Sequence, residues 1–110
     1  MNKFSLTASA HEQLDRAASE HSGRSAATVF GGHEHVLRQT VIALLKGRTL
    51  AEHENPGEAT LQVLSGRVRL TAGDSEWIGR SGDLLVIPDG MHGLEAIEDS
   101  AVLLTVAKMP

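Results

Sequence analysis

Two histidines stand at matched places in this chain. His53 follows Gly47-Arg48-Thr49-Leu50-Ala51-Glu52 and precedes Glu54-Asn55-Pro56-Gly57; His92 follows Gly82-Asp83-Leu84-Leu85-Val86-Ile87 and the turn Pro88-Asp89-Gly90-Met91. Each sits beside a proline–glycine turn at the end of an apolar segment. Imidazole changes charge near neutral pH, and its neutral form is a common ligand of divalent transition metals. Two imidazoles brought together could bind a metal, move a proton or hydrogen-bond a guest. Polar side chains available at the same corners are Glu52, Glu54, Asn55, Glu58 and Gln62, with Met91 next to His92. A carboxylate among them could transfer protons if its surroundings tuned it. Cysteine is absent, which removes disulfides, thiolate metal sites and cysteine nucleophiles. No Ser-His-Asp arrangement is evident, and no lysine follows the glycines as in a phosphate-binding loop.

Nothing local joins His53 to His92, so strands paired across a fold must do it. Short apolar runs at 26–30, 36–45, 48–53, 59–65, 67–72, 76–78, 83–87, 92–97 and 101–107 read as strands. Turn signals separate them, among them Gly31-Gly32, Asn55-Pro56-Gly57, Gly73-Asp74 and Pro88-Asp89-Gly90. That rhythm describes an all-β sandwich or barrel. One helix precedes it, over 7–22, with capping-box spacing in Ser9-Ala10-His11-Glu12 and a stop at Gly23. Its small apolar face (Leu6, Ala10, Leu14, Ala17) suits the surface of a sheet. Three strands read apolar on both faces: Val41 to Leu45, Leu84 to Ile87 and Ala101 to Val106. The helix is expected to cover part of those outer faces and a second subunit the rest, so a homodimer is expected.

The chain of 110 residues is read as one domain, 1–110, with 41% hydrophobic and 22% charged residues and a net charge of −4. A mildly acidic surface gives no electrostatic footprint for nucleic acid or an anionic membrane. No apolar run approaches the about 20 residues that span a bilayer, and the expected location is cytoplasmic. Phe4, Phe30 and Trp77 are the only aromatic residues of the Phe, Trp and Tyr set, so a pocket must be walled by aliphatic side chains. Trp77 reads as a packing residue. His33-Glu34-His35 reads as a solvated strand entrance, His11 and His21 as surface residues, and Arg67, Arg69, Glu76 and Arg80 as a solvated face with cross-strand charge pairs.

The two histidine segments resemble the two motifs of the cupin superfamily, G-x5-H-x-H-x3/4-E-x6-G and G-x5-P-x-G-x2-H-x3-N. Gly47, His53 and Gly66 match the first; Gly82, Pro88, Gly90 and, one residue early, His92 match the second. The resemblance spans about residues 36–107. It implies a double-stranded β-helix (jelly-roll) barrel carrying the short N-terminal α-helix. It also implies a small-molecule ligand and a site for a divalent transition metal (Mn, Fe, Ni or Zn). His53 and His92 would be ligands with Gln62 or Glu58, in a pocket shared with Asn55 and Met91. Where the family has its second histidine, glutamate and final asparagine, this chain has Asn55, Ala59 and Ala96. Two readings follow: a metal-dependent enzyme on a small organic substrate, or a metal-free ligand-binding or sensory module without turnover.

Overall fold

The computed structural model describes residues 2–54 and 57–108. Helix α1 spans Leu6–Ser19. Its N-cap is Ser5, whose hydroxyl accepts the Ala8 N–H at 3.1 Å. The expected Ser9–Glu12 box is not used: Ser9 is already helical, and Glu12 pairs with Arg16 at 2.9 Å. The helix also ends earlier than expected, because Glu20 is extended; Gly23, at φ +68°, then turns the chain into the first strand. The inward stripe is Ala10, Gln13 and Ala17, and Gln13 is fixed by accepting the Ser25 hydroxyl at 2.5 Å.

Nine strands follow in the described residues: β1 Arg24–Phe30, β2 Leu37–Leu44, β3 Thr49–His53, β4 Gly57–Ser65, β5 Arg67–Ala72, β6 Ser75–Arg80, β7 Leu84–Ile87, β8 His92–Ala96 and β9 Ser100–Lys108. They form two sheets, β1-β2-β9-β4-β7 and β3-β8-β5-β6, with every recorded pairing antiparallel. Each segment read as a strand from its turn punctuation is a strand here. The two sheets face each other across the core, which gives the all-β jelly-roll architecture.

Alternation decides which residues fill that core. On β4, Ala59, Leu61 and Val63 point inward; on β9, Val102 and Val106; on β5, Val68 and Leu70; on β8, Leu94 and Ala96. Burying each large aliphatic side chain contributes about 1.5–3 kcal/mol, and together they hold the sheets face to face. Outward residues of β2 and β9 are buried too: Val41, Ala43 and Ala101 have no exposed surface. Helix α1 packs on β1 and β2 and reaches β9, so these two-sided strands find much of their cover within the chain. Strand β7 differs, leaving Leu84 61% and Val86 74% exposed.

Four corners gather at one end of the barrel, where β2 passes to β3, β4 to β5, β6 to β7 and β8 to β9. The Gly47 N–H donates to Ala96 O at 2.8 Å, and the Lys46 N–H to Asp99 Oδ1 at 2.8 Å. Gly66 has φ +87°, and a Cβ there would collide with the Asp99 carbonyl and the Ser100 hydroxyl. Only glycine fits both the dihedral and the space. The opposite end carries the histidines.

Candidate functional site

His53 ends β3 and His92 begins β8. The two are direct cross-strand partners, with ring centroids 4.5 Å apart and ring planes inclined at 55°. A β-bulge makes this possible. Leu50 opposes Leu94 and His53 opposes His92, so the pairing advances three residues on β3 against two on β8. On a regular strand, residues three apart point to opposite faces; the extra residue restores His53 to the inner side. No residue in Leu50-Ala51-Glu52-His53 signals that bulge in the sequence.

The two rings meet different surroundings. His53 is exposed, on an edge strand; His92 is only 3% exposed, on a strand flanked on both sides. Both make the same local contact. His53 Nδ1 lies 3.0 Å from Ala51 O, and His92 Nδ1 lies 3.3 Å from Gly90 O. A carbonyl only accepts, so in each contact Nδ1 is the donor. Burial lowers the His92 pKa from its ordinary value; the Gly90 carbonyl raises it, and the neighbouring His53 lowers it further. His92 is therefore neutral at pH 7.

The pair borders a cavity of about 20 Å³ between the sheets. Its walls are aliphatic, with Leu50, Leu61, Leu70, Ile87, Leu94 and Leu104 prominent. That volume admits about one water-sized group. The pair places two imidazoles at the end of an apolar chamber.

The remaining residues expected at the site fall elsewhere. Gln62 lies between Leu84 and Leu103 in register, on the outer face of β4, because Leu61 and Val63 take the inner one. Glu58 shares that outer face and is exposed. Met91 precedes the inward His92, and is 48% exposed. Gln62, Glu58 and Met91 are thus removed from the pocket, and Gln62 from the ligand set. Asn55 lies outside the described residues. His33 and His35 are exposed in the β1–β2 connection, where His35 stacks near Phe30 at 5.0 Å. Trp77 faces Leu70 on edge strand β6 and is 43% exposed. The expected charge pairs form on the outer face of the smaller sheet: Arg69 contacts Glu76 at 3.3 Å and Glu95 at 2.6 Å. Sequence reasoning did not single out Ile42, which borders the same cavity, or Arg24 and Ala26, which flank a neighbouring groove. Their strands look like ordinary sheet.

Solved structures share this architecture. A conserved protein of unknown function from Streptococcus pyogenes superposes with TM-score 0.73 at 30% identity, over 83% of this chain and 79% of that one. A cupin superfamily protein from Desulfitobacterium hafniense gives TM-score 0.72 at 15% identity, over 78% of each chain. An RmlC-like cupin from Desulfovibrio desulfuricans gives 0.67 at 26% identity, over 76% of this chain and 81% of that one. The chain belongs to the cupin superfamily. No family sequence model and no curated protein matches it.

The donor set can now be tested against a resident metal. A catalytic site of this type uses three protein ligands and a structural one four. Ala59, at the position of the family's glutamate, does face inward, 7% exposed, but it presents a methyl group. Among the described residues no group of three or more histidine, aspartate or glutamate side chains is placed to hold an ion. The described residues do not fit a resident divalent metal.

Proposed function

We propose that this cupin binds a small organic molecule without metal or turnover, seating a neutral group of it in the aliphatic cavity bordered by the His53–His92 pair. The observation that carries this reading is the placement of the pair: His53 and His92 are cross-strand partners, ring centroids 4.5 Å apart, and both border the aliphatic cavity. A neutral group such as a hydroxyl on an aliphatic body suits these walls; a carboxylate, charged at pH 7, does not, because burying an unpaired charge is costly. The apolar walls would hold the carbon next to that group. Among the described residues the chamber lining holds no serine, threonine or carboxylate beside the two histidines, and binding is the activity proposed.

The test is titration of a short aliphatic alcohol, read by amide chemical shifts at His53, His92 and Leu94. The alcohol should shift all three and the matched carboxylate should not, and His53→Phe should abolish the effect. Titration with Zn²⁺, Mn²⁺, Fe²⁺ and Ni²⁺ serves as the counter-test. A resident metal would raise the melting temperature by mass action. The metal-free reading expects no such rise, and a rise lost in His53→Ala and His92→Ala would replace it with the metal-dependent one. Self-association through the bare face of β7 belongs to the proposal as well. Light scattering should report twice the chain mass, and Val86→Lys should halve it.

A further inference from the structure

Two arginines stand directly opposite each other on the smaller sheet: Arg67 on β5 and Arg80 on β6. Val68 and Leu70 take the inner side of β5, so Arg67 and its cross-strand partner project together from the outer face. Opposed residues hold their Cβ atoms about 5 Å apart, and like charges so placed repel.

Arg69, two residues along β5, shows how this sheet offsets such a charge. It opposes Ile78, bonds to Glu95 at 2.6 Å and has Glu76 at 3.3 Å. Arg67 and Arg80 are served less well. Glu98 approaches Arg67 Nε at 3.5 Å, yet that nitrogen has no hydrogen bond among the described residues. Arg80 is exposed, and its guanidinium forms no ion pair with a described residue.

Both arginines line a groove of about 350 Å³ with Gly66, Ser81 and Glu98. It lies at the cornered end of the barrel, away from the histidines. No aliphatic side chain lines it, and two arginines against one glutamate leave it cationic. The backbone beneath is tied from several sides. The Arg67 carbonyl accepts the Ile97 N–H at 2.9 Å and the Glu98 N–H at 3.2 Å, and the Arg67 N–H donates to Ser100 Oγ at 3.0 Å. Across the groove, the Arg80 N–H donates to Asp83 Oδ2 at 2.8 Å. Asp83 thus has one oxygen committed to the main chain, as Asp99 does through the Lys46 N–H. A site whose backbone is already fixed has only side chains left to order on binding.

We propose that this groove binds the phosphate monoester of a small polar molecule, with Arg67 and Arg80 gripping the phosphate together. A guanidinium presents a fork that meets two anionic oxygens at once. A carboxylate has two coplanar oxygens and fills one fork. A phosphate monoester has three terminal oxygens and a charge near −2, which meets two forks once Glu98 turns aside. The polar lining suits a hydroxylated body beyond the phosphate, with the Ser81 hydroxyl at hand. A lipid phosphate is a poorer source, because the chain as a whole carries a net charge of −4. The site stands apart from the histidine cavity, and neither reading depends on the other.

Glycerol 3-phosphate and glycerate are the probes, titrated against the intact protein at pH 8 and constant ionic strength. Amide shifts at Gly66, Arg80 and Ser81 report binding. Glycerol 3-phosphate should perturb all three and bind more tightly than glycerate. Arg67→Gln and Arg80→Gln should each weaken it by about tenfold or more, the worth of a charge-assisted hydrogen bond. Arg80 is exposed on an edge strand, so its variant keeps the test open if Arg67→Gln disturbs the corner. Glu98→Gln should tighten binding severalfold by removing the competing carboxylate, whereas Arg69→Gln, whose charge Glu76 and Glu95 already meet, should leave it nearly unchanged. Equal losses from Arg69→Gln and Arg80→Gln would mean diffuse attraction and overturn the site. It is equally overturned if glycerate binds as tightly, if Glu98→Gln weakens binding, or if millimolar glycerol 3-phosphate perturbs none of the three amides. Vesicles carrying phosphatidic acid should not retain the protein; retention without glycerol 3-phosphate binding would replace the soluble ligand with a membrane.

Discussion

The two ends of this barrel are built on opposite plans. At the cornered end, backbone and side chains bond between segments far apart in sequence. The Arg67 N–H donates to Ser100 Oγ at 3.0 Å, Ser100 Oγ to Glu98 O at 2.7 Å, and the Gly82 N–H to Val63 O at 2.8 Å. At the histidine end, each ring contacts a carbonyl two residues back in its own strand segment, Ala51 for His53 and Gly90 for His92. One end ties distant segments together; the other sets two rings side by side on neighbouring strands. Stability should therefore be concentrated at the first, and recognition of the neutral guest at the second.

The largest expected effect is at Gly66. Gly66→Val combines a left-handed dihedral with collision against the Asp99 carbonyl, and should cost about 3 kcal/mol or more of unfolding free energy. Chemical denaturation would read this, and an unchanged midpoint would break the contrast. Ser100→Ala comes next. It leaves the Arg67 N–H without its acceptor at a residue only 1% exposed, at about 1–3 kcal/mol.

A smaller effect belongs to pH. Burial lowers the folded-state pKa of His92 below 6.5, so the unfolded chain binds this proton more readily than the folded one. Stability should fall as pH drops below 6.5 toward the lowered folded value, and stay flat with respect to this group above 6.5. His92→Gln should flatten that slope in thermal melts recorded across the range, whereas His11→Gln should not. The smallest effect is at His53, exposed on its edge strand. His53→Ala should change stability by no more than about 0.5 kcal/mol while removing alcohol binding. A loss comparable to Ser100→Ala would mean that the histidine end is structural too.

The sequence made the strands legible because glycine, proline, asparagine and aspartate mark nearly every corner, and the pairing of His53 with His92 followed from matching two similar corners. It did not reveal which face of β4 looks inward. Gln62 and Ala59 belong to opposite alternating sets, and only the packing of Leu61 and Val63 against the other sheet decides between them. Nor did composition show how far a helix with an alanine-rich stripe would cover the larger sheet. Small residues allow close approach, and Ala10 and Ala17 are buried as completely as many larger side chains. The groove flanked by Arg24 and Ala26 was hidden for a related reason: it belongs to two edges, β1 and β3, that only the fold sets opposite one another.

The bulge in β3 means that His53 faces inward by parity. Between Leu50 and His53 the chain has one residue more than its partner strand, and an even or odd count decides the side. Deleting Glu52 would leave both histidines in the chain and make the count on β3 equal to that on β8, so a regular β3 would keep Leu50 and His53 on one face with no bulge between them. Substitution cannot mimic that change, because every side chain at 51 or 52 preserves the count. In this segment the bulge is set by the number of residues, and length carries information that residue identity does not.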